Sequence, residues 1–135
     1  AGVRYVAIDQ DSSLVLRQRA KGYRVFYGDG RKPDVLRSLG VADASLVIVT
    51  VNDFEATESI VAALHRAHPD LTILARGHDA SQCEALRKLG ASLAISENLE
   101  ASLDLAREAL LHQLVGADQT EEVLRRFRAD YYANF

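Results

Sequence analysis

Polar residues that can bind or position a ligand recur directly behind short apolar runs of this chain. Asp9 and Gln10 follow residues 3–8, and Gly28, Asp29 and Gly30 follow residues 23–27. Thr50, Val51, Asn52 and Asp53 close the run 45–51, Arg76 follows 71–75, and Ser96 and Glu97 follow 92–95. A carboxylate at the carboxyl end of a strand and just before a helix accepts hydrogen bonds from ribose hydroxyls, which fits Asp9. Asp29 can accept from an adenine amino group, and Gly28 and Gly30 let the backbone approach a ring. Arg76 can pair with a phosphate. Each residue also has a plainer use, since Asp29 can close an Asx turn and Asn52 or Asp53 can cap a helix. What favours a site is the shared location: in a doubly wound sheet, ligands lie across the carboxyl ends of the strands.

The elements behind these residues alternate strand with helix. Residues 3–8 read as a strand, and Asp11-Ser12-Ser13 caps a helix through Leu14, Leu16 and Arg17 that stops at Gly22. Residues 23–27 form a second strand, and Pro33 opens a short helix to about Leu39 that ends at Gly40. The continuous run 45–51 suits a central parallel strand covered on both faces. Asn52-Asp53 caps a long helix bearing Ile60, Val61, Leu64 and Ala67, which Pro69 closes. Residues 71–75 make the next strand, and Asp79 caps a helix through Leu86 and Leu89. After strand 92–95, Asn98 caps an amphipathic helix with Leu99, Leu103, Ala106, Leu110 and Leu114 on one side. Strand-helix units in series require a parallel sheet, so the fold class is α/β, Rossmann-like and doubly wound. A last helix, from 121 to about 132, carries the stripe Leu124, Phe127 and Tyr131, which must be buried. The domain reading is a nucleotide-binding domain over 1–115 and a helical tail over 116–135.

Composition narrows the function. The 135 residues are 48% hydrophobic and 26% charged, with a net charge of −3, which gives no field for nucleic acid. The longest apolar stretch, 46–51, is far short of the ~20 residues that cross a bilayer, so direct membrane insertion is not expected. A lone cysteine, Cys83, leaves no internal disulfide, suits a reducing compartment and reads as a small packed side chain. His65, His68, His78 and His112 lack metal-ligand spacing and read as solvated surface residues, so no metal site is expected. Neither a nucleophile elbow nor a phosphate-binding Gly-Lys-Ser/Thr loop occurs, and no catalytic residue is assigned.

Four motifs resemble the TrkA-N or RCK family, the cytoplasmic nucleotide-sensing domains of bacterial potassium channels and transporters. They are Val6-Ala7-Ile8-Asp9-Gln10-Asp11, Val25-Phe26-Tyr27-Gly28-Asp29-Gly30, Ala44-Ser45-Leu46-Val47-Ile48-Val49-Thr50 and Ile73-Leu74-Ala75-Arg76-Gly77-His78-Asp79. Leu36-Arg37-Ser38-Leu39-Gly40 and Leu86-Arg87-Lys88-Leu89-Gly90 extend the likeness to about residue 115. The tail is similar to that of Kef-type potassium/proton antiporters, whose Phe-Arg-Arg-Phe stretch Val123-Leu124-Arg125-Arg126-Phe127 resembles. The resemblance implies a regulatory domain rather than an enzyme. It implies AMP or NAD(H) at the strand ends, through Asp9, Gln10, Gly28, Asp29, Gly30, Thr50, Val51, Asn52 and Arg76. It further implies a homodimer or higher homo-oligomer, a transmembrane antiporter domain on the N-terminal side, and a place at the cytoplasmic face of the bacterial inner membrane. Glutathione-gated members carry a segment like Arg-Glu-Thr-Phe where this chain reads Ser96-Glu97-Asn98-Leu99, which favours control by nucleotide.

Only eight residues precede Asp9, whereas the dinucleotide fold places its first strand and Gly-rich turn about 20 residues before the acid. That strand and phosphate cradle are expected to be missing, with nucleotide binding weak or absent as a result. In the order 3-2-1-4-5-6 the loss leaves two unpaired edges, so direct closure of the flanking strands or insertion from another chain is expected. Two other readings stand beside the sensor: a dimerisation module with a vestigial pocket, and the cofactor-binding half of an NAD-dependent oxidoreductase.

Overall fold

The computed structural model describes residues 2–134, which divide into two compact units, one ending at Ser45 and the other starting at Leu46.

The first unit holds strand β1 (Ala7–Asp9), helix α1 (Ser12–Ala20), strand β2 (Val25–Tyr27), helix α2 (Pro33–Ser38) and a 3-10 turn at Val41–Asp43. β1 and β2 are parallel, with Ala7, Ile8 and Asp9 opposite Val25, Phe26 and Tyr27. Both strands are shorter than the apolar runs that announce them. The Tyr23 amide donates to the Gln18 carbonyl at 3.1 Å, closing the end of α1, so the ladder starts with Ala7 donating to the Arg24 carbonyl. Residues before Ala7 then have no opposing strand residue in this pair. Asp11 caps α1 as its sequence suggests, its carboxylate accepting from the Leu14 amide. Pro33 opens α2 at a position where the missing N–H costs no helical hydrogen bond. Among the unit's described apolar side chains Val15 is the fully buried one, so this half of the fold rests on a small core.

The second unit is a three-stranded parallel sheet in the order β3-β4-β5, built from β3 (Leu46–Val49), β4 (Thr72–Gly77) and β5 (Leu93–Ser96). Helices α3 (Phe54–Ala67) and α4 (Ala80–Lys88) bring Ile60, Val61, Leu64, Cys83 and Leu86 onto alternate strand residues, Val49, Ile73, Ala75 and Ala94, all buried. Each CH2 removed from water contributes roughly 0.8 kcal/mol, so this face dominates the unit's stability. Burial also pushes the Cys83 thiol up, in keeping with a packed, inert cysteine. The opposite face corrects the expectation of a strand covered on both sides: Ile48 is 63% exposed and Leu46 43%. β3 is an edge strand of its sheet, and its side chains alternate, so one set faces the helices and the other does not. β3 also ends two residues early. Thr50 and Val51 leave the ladder because their carbonyls accept from the side chains of Arg76 and Thr57.

Among the described residues β1 pairs with β2 within the first unit, and β3 with β4 within the second. Each half keeps the neighbours that the doubly wound order assigns it.

Two long helices complete the second unit, α5 (Glu97–His112) and α6 (Ala117–Ala133). Ser96, not Asn98, caps α5: it is the extended last residue of β5, and its Oγ accepts from the Leu99 amide at 3.2 Å. α6 begins four residues earlier than its apolar stripe indicates, directly after Gly116. Leu124 is buried with Leu99 and Leu103, and Ala106, Tyr131 and Tyr132 pack against that cluster. Phe127 departs from the expected stripe and is 58% exposed, because α5 accepts only the Leu124 and Tyr131 side of α6. Leu114 lies beyond α5 in a left-handed conformation, almost wholly exposed, and takes no part in the α5 stripe. Arg128 holds Glu100 through two hydrogen bonds, of 3.0 and 2.8 Å, and so ties the two helices at their flank.

Candidate functional site

The residues behind β3 and β4 converge on a cleft of about 410 Å³ lined by Val51, Asn52, Phe54, Thr57, Arg76, Gly77, His78, Gln82 and Glu97. It lies at the carboxyl ends of parallel strands, where open α/β sheets take their ligands. Arg76 organises it. One guanidinium nitrogen donates to the Asn52 Oδ1 at 2.6 Å and to the Thr50 carbonyl at 2.8 Å, while Nε faces Glu97 Oε2 at 3.5 Å. The cation is thereby matched by a carboxylate and committed to the neighbouring loop. The cleft therefore presents balanced charge rather than a bare positive centre.

The remaining walls are set by local folding. Asp53 caps α3 by accepting from the Ala56 amide at 2.7 Å, and the buried Thr57 hydroxyl reaches back to the Val51 and Asp53 carbonyls. This pins the turn carrying Asn52. At the other side Asp79 caps α4, and Gln82 Oε1 accepts from the His78 amide at 2.7 Å. Gly77 lets β4 approach the first turn of α4, since a Cβ there would sit 3.1 Å from the Cys83 amide nitrogen and Sγ.

In the first unit, Asp9 accepts from the Asp11 amide through Oδ1 at 2.8 Å. Asp29 closes an Asx turn on the Arg31 amide, and both its oxygens accept from the Arg31 guanidinium at 2.9 to 3.2 Å. Those hydrogen bonds, the side-chain ones first, hold its carboxyl at about 2. Gly28 is buried because a Cβ would lie 2.8 Å from Val35 Cγ1, so α2 packs against the end of β2 there. Gln10 is exposed, and Gly30 lies in the turn after Asp29.

Of the residues singled out in sequence, Val51, Asn52, Arg76 and Glu97 line the cleft, and Thr50 adjoins it through its carbonyl. Asp9, Gln10, Gly28, Asp29 and Gly30 belong to the first unit. Phe54, Thr57, His78 and Gln82 were not anticipated. Signals existed for two of them: Thr57 stands four residues after a cap, and Gln82 three after Asp79, a spacing that resembles a capping box. Ser96, a departure from the glutathione-gated pattern, is wholly buried as a helix cap. No group of three or more His, Cys, Asp or Glu that could hold a metal occurs among the described residues, and no described helix is long and apolar enough to cross a membrane.

This architecture has known counterparts. A glutathione-regulated potassium-efflux system protein of Haemophilus influenzae is 30% identical over 127 residues, 94% of this chain and 21% of that protein. The chain thus spans about a fifth of the length of the curated relatives it matches. Among solved structures, the Kef CTD of Shewanella denitrificans in its AMP-bound form superposes with a TM-score of 0.74 at 25% identity, covering 96% of this chain and 93% of that one. The GsuK channel bound to NAD gives 0.62 at 29% identity, over 70% of this chain and 17% of that one. The TrkA-N domain model matches residues 1–97, and the chain belongs to the TrkA-N domain family.

Proposed function

We propose that this chain is the nucleotide-sensing regulatory part of a potassium efflux antiporter. The observation that carries the reading is the Arg76-braced cleft at the carboxyl ends of β3 and β4, in a domain whose relatives include a potassium-efflux protein and an AMP-bound Kef domain. The ligand is an adenine nucleotide, AMP or NAD(H). Within the second unit Thr50, Val51 and Asn52 supply its hydrogen-bonding edge, and Arg76 holds that edge in place. Because Glu97 balances Arg76, the cleft suits an uncharged, hydroxyl- or amide-bearing part of the nucleotide better than a phosphate. Within the first unit Asp9 and Gln10 are assigned to ribose, and Gly28, Asp29 and Gly30 to the base. Residues 1–115 form the nucleotide-binding domain and 116–135 its tail.

The assembly is a homodimer or higher homo-oligomer at the cytoplasmic face of the bacterial inner membrane, joined on its N-terminal side to the transmembrane antiport domain. The domain regulates and does not catalyse. Titration calorimetry of AMP and of NAD into the chain, at ligand concentrations reaching the millimolar range, tests the binding step. Saturable binding that Asn52→Ala weakens about tenfold, the loss of some 1.4 kcal/mol, is the expected result. Absence of binding by either nucleotide, or equal binding by the variant, would overturn it.

A further inference from the structure

Tail helix α6 reaches the carboxyl end of β5 and the start of α4, next to residues that line the cleft. The Tyr132 hydroxyl accepts from the Ser96 amide at 2.8 Å, and the Tyr131 hydroxyl accepts from the Ala80 amide at 3.1 Å. Tyr131 Oη also lies 3.4 Å from Ser96 Oγ. Ser96 Oγ accepts from the Leu99 amide and donates to the His78 carbonyl at 3.2 Å, and the same carbonyl accepts from the Asn98 amide. Proton counting is consistent. With Tyr131 donating, Ser96 Oγ accepts twice and donates once.

His78 and Glu97 are cleft walls, and they flank this network on either side: His78 through its carbonyl, Glu97 as the residue following Ser96. The two rings meet edge to face, their centroids 5.4 Å apart, and the Arg87 guanidinium covers the Tyr132 ring at 5.3 Å. Aromatic and cation–π contacts of this kind leave each ring little freedom, so the hydroxyls are held where the strand ends need them. Two tyrosines thirty-five or more residues away in sequence thus fix a wholly buried serine that directly precedes the cleft wall Glu97.

We infer that Tyr131 and Tyr132 are positioning residues for the cleft: by holding Ser96 and Ala80 they set the His78 and Glu97 wall, so that cleft geometry and docking of α6 depend on the same hydrogen bonds. The inference concerns the cleft assigned above to a nucleotide, but its first test needs no ligand. In Tyr131→Phe/Tyr132→Phe the rings and their packing stay while the hydroxyls go. Amide NMR of the free chain should then show shifts at Gly77, His78 and Glu97, with Ser96 amide exchange faster by about tenfold and the amides around Leu124 unchanged. Shifts confined to Ala80, Ser96 and the two substituted residues would overturn the inference. Loss of the Leu124 signals would reduce the tyrosines to packing residues and overturn it equally.

A second arm adds AMP. If the wild-type chain binds AMP, the variant should bind it at least about threefold more weakly, and equal affinity would contradict the inference. If the wild-type chain does not bind AMP, the nucleotide reading fails while the first arm still decides the positioning role.

Discussion

Arg76 donates to Asn52 Oδ1 at 2.6 Å, so the carboxyl end of β4 fixes the loop that leaves β3. The same nitrogen reaches the Thr50 carbonyl at 2.8 Å. Arg76→Ala removes both bonds and leaves Glu97 without its cation. With Arg76 28% exposed, a loss of about 1–2 kcal/mol is expected in urea unfolding. Arg76→Lys should recover only part of it, because a single ammonium on a flexible stem does not reproduce the planar fork. A change within about 0.5 kcal/mol for Arg76→Ala would mean that the brace carries no stability.

Asp29 should titrate well below the ordinary aspartate value. Its carboxyl is held at about 2 against an ordinary 3.8, first by hydrogen bonds from the Arg31 side chain and then by the Arg31 amide. A depressed folded pKa means that the ionised pair adds stability above pH 3.8, and that this contribution is lost as pH falls through about 2. Carboxyl NMR should place the midpoint near 2, and Arg31→Ala should raise it only part of the way, since the Asx-turn amide remains. A wild-type midpoint near 3.8 would contradict the geometry.

Gly90 is held at φ 111°, and a Cβ there would collide with His65 Cγ. Neither difficulty relaxes cheaply, because His65 Cβ, fixed by its own backbone, would also lie 2.6 Å away, and a positive φ strains any L side chain. Gly90→Ala should cost roughly 2–4 kcal/mol in the same unfolding assay. Adding His65→Ala should restore only the part due to the imidazole ring, because the Cβ that alanine keeps would still lie 2.6 Å away and the φ strain remains. Full restoration would show that neither the backbone strain nor the remaining Cβ contact contributes, and a neutral single variant would contradict the packing.

Much of this molecule was readable from residue patterns, and the exceptions have physical causes. Asp11, Asp53 and Asp79 cap the helices their positions suggest, because capping is a local bond between a carboxylate and an amide three residues on. Strand lengths were overestimated where a partner elsewhere in the chain decides: Tyr23 spends its amide on α1, and Thr50 its carbonyl on Arg76. Asn98 looked like a cap from its neighbours alone, yet Ser96 is the residue that β5 leaves in extended conformation. In the cleft, Asn52 and Arg76 were visible because they end apolar runs. His78 and Thr57 were not, since they enter through a helix turn and a backbone carbonyl. The role of Tyr131 and Tyr132 depends on contacts across at least thirty-five residues, which no local pattern encodes.

The most direct test of the account is a two-dimensional amide NMR titration of the chain with AMP, which detects even millimolar binding. The account predicts saturable shifts at Thr50, Val51, Asn52 and Arg76, with accompanying shifts at Asp9, Gln10 and Gly28 to Gly30. Absence of saturable shifts, or shifts that all fall away from these strand ends, would contradict it.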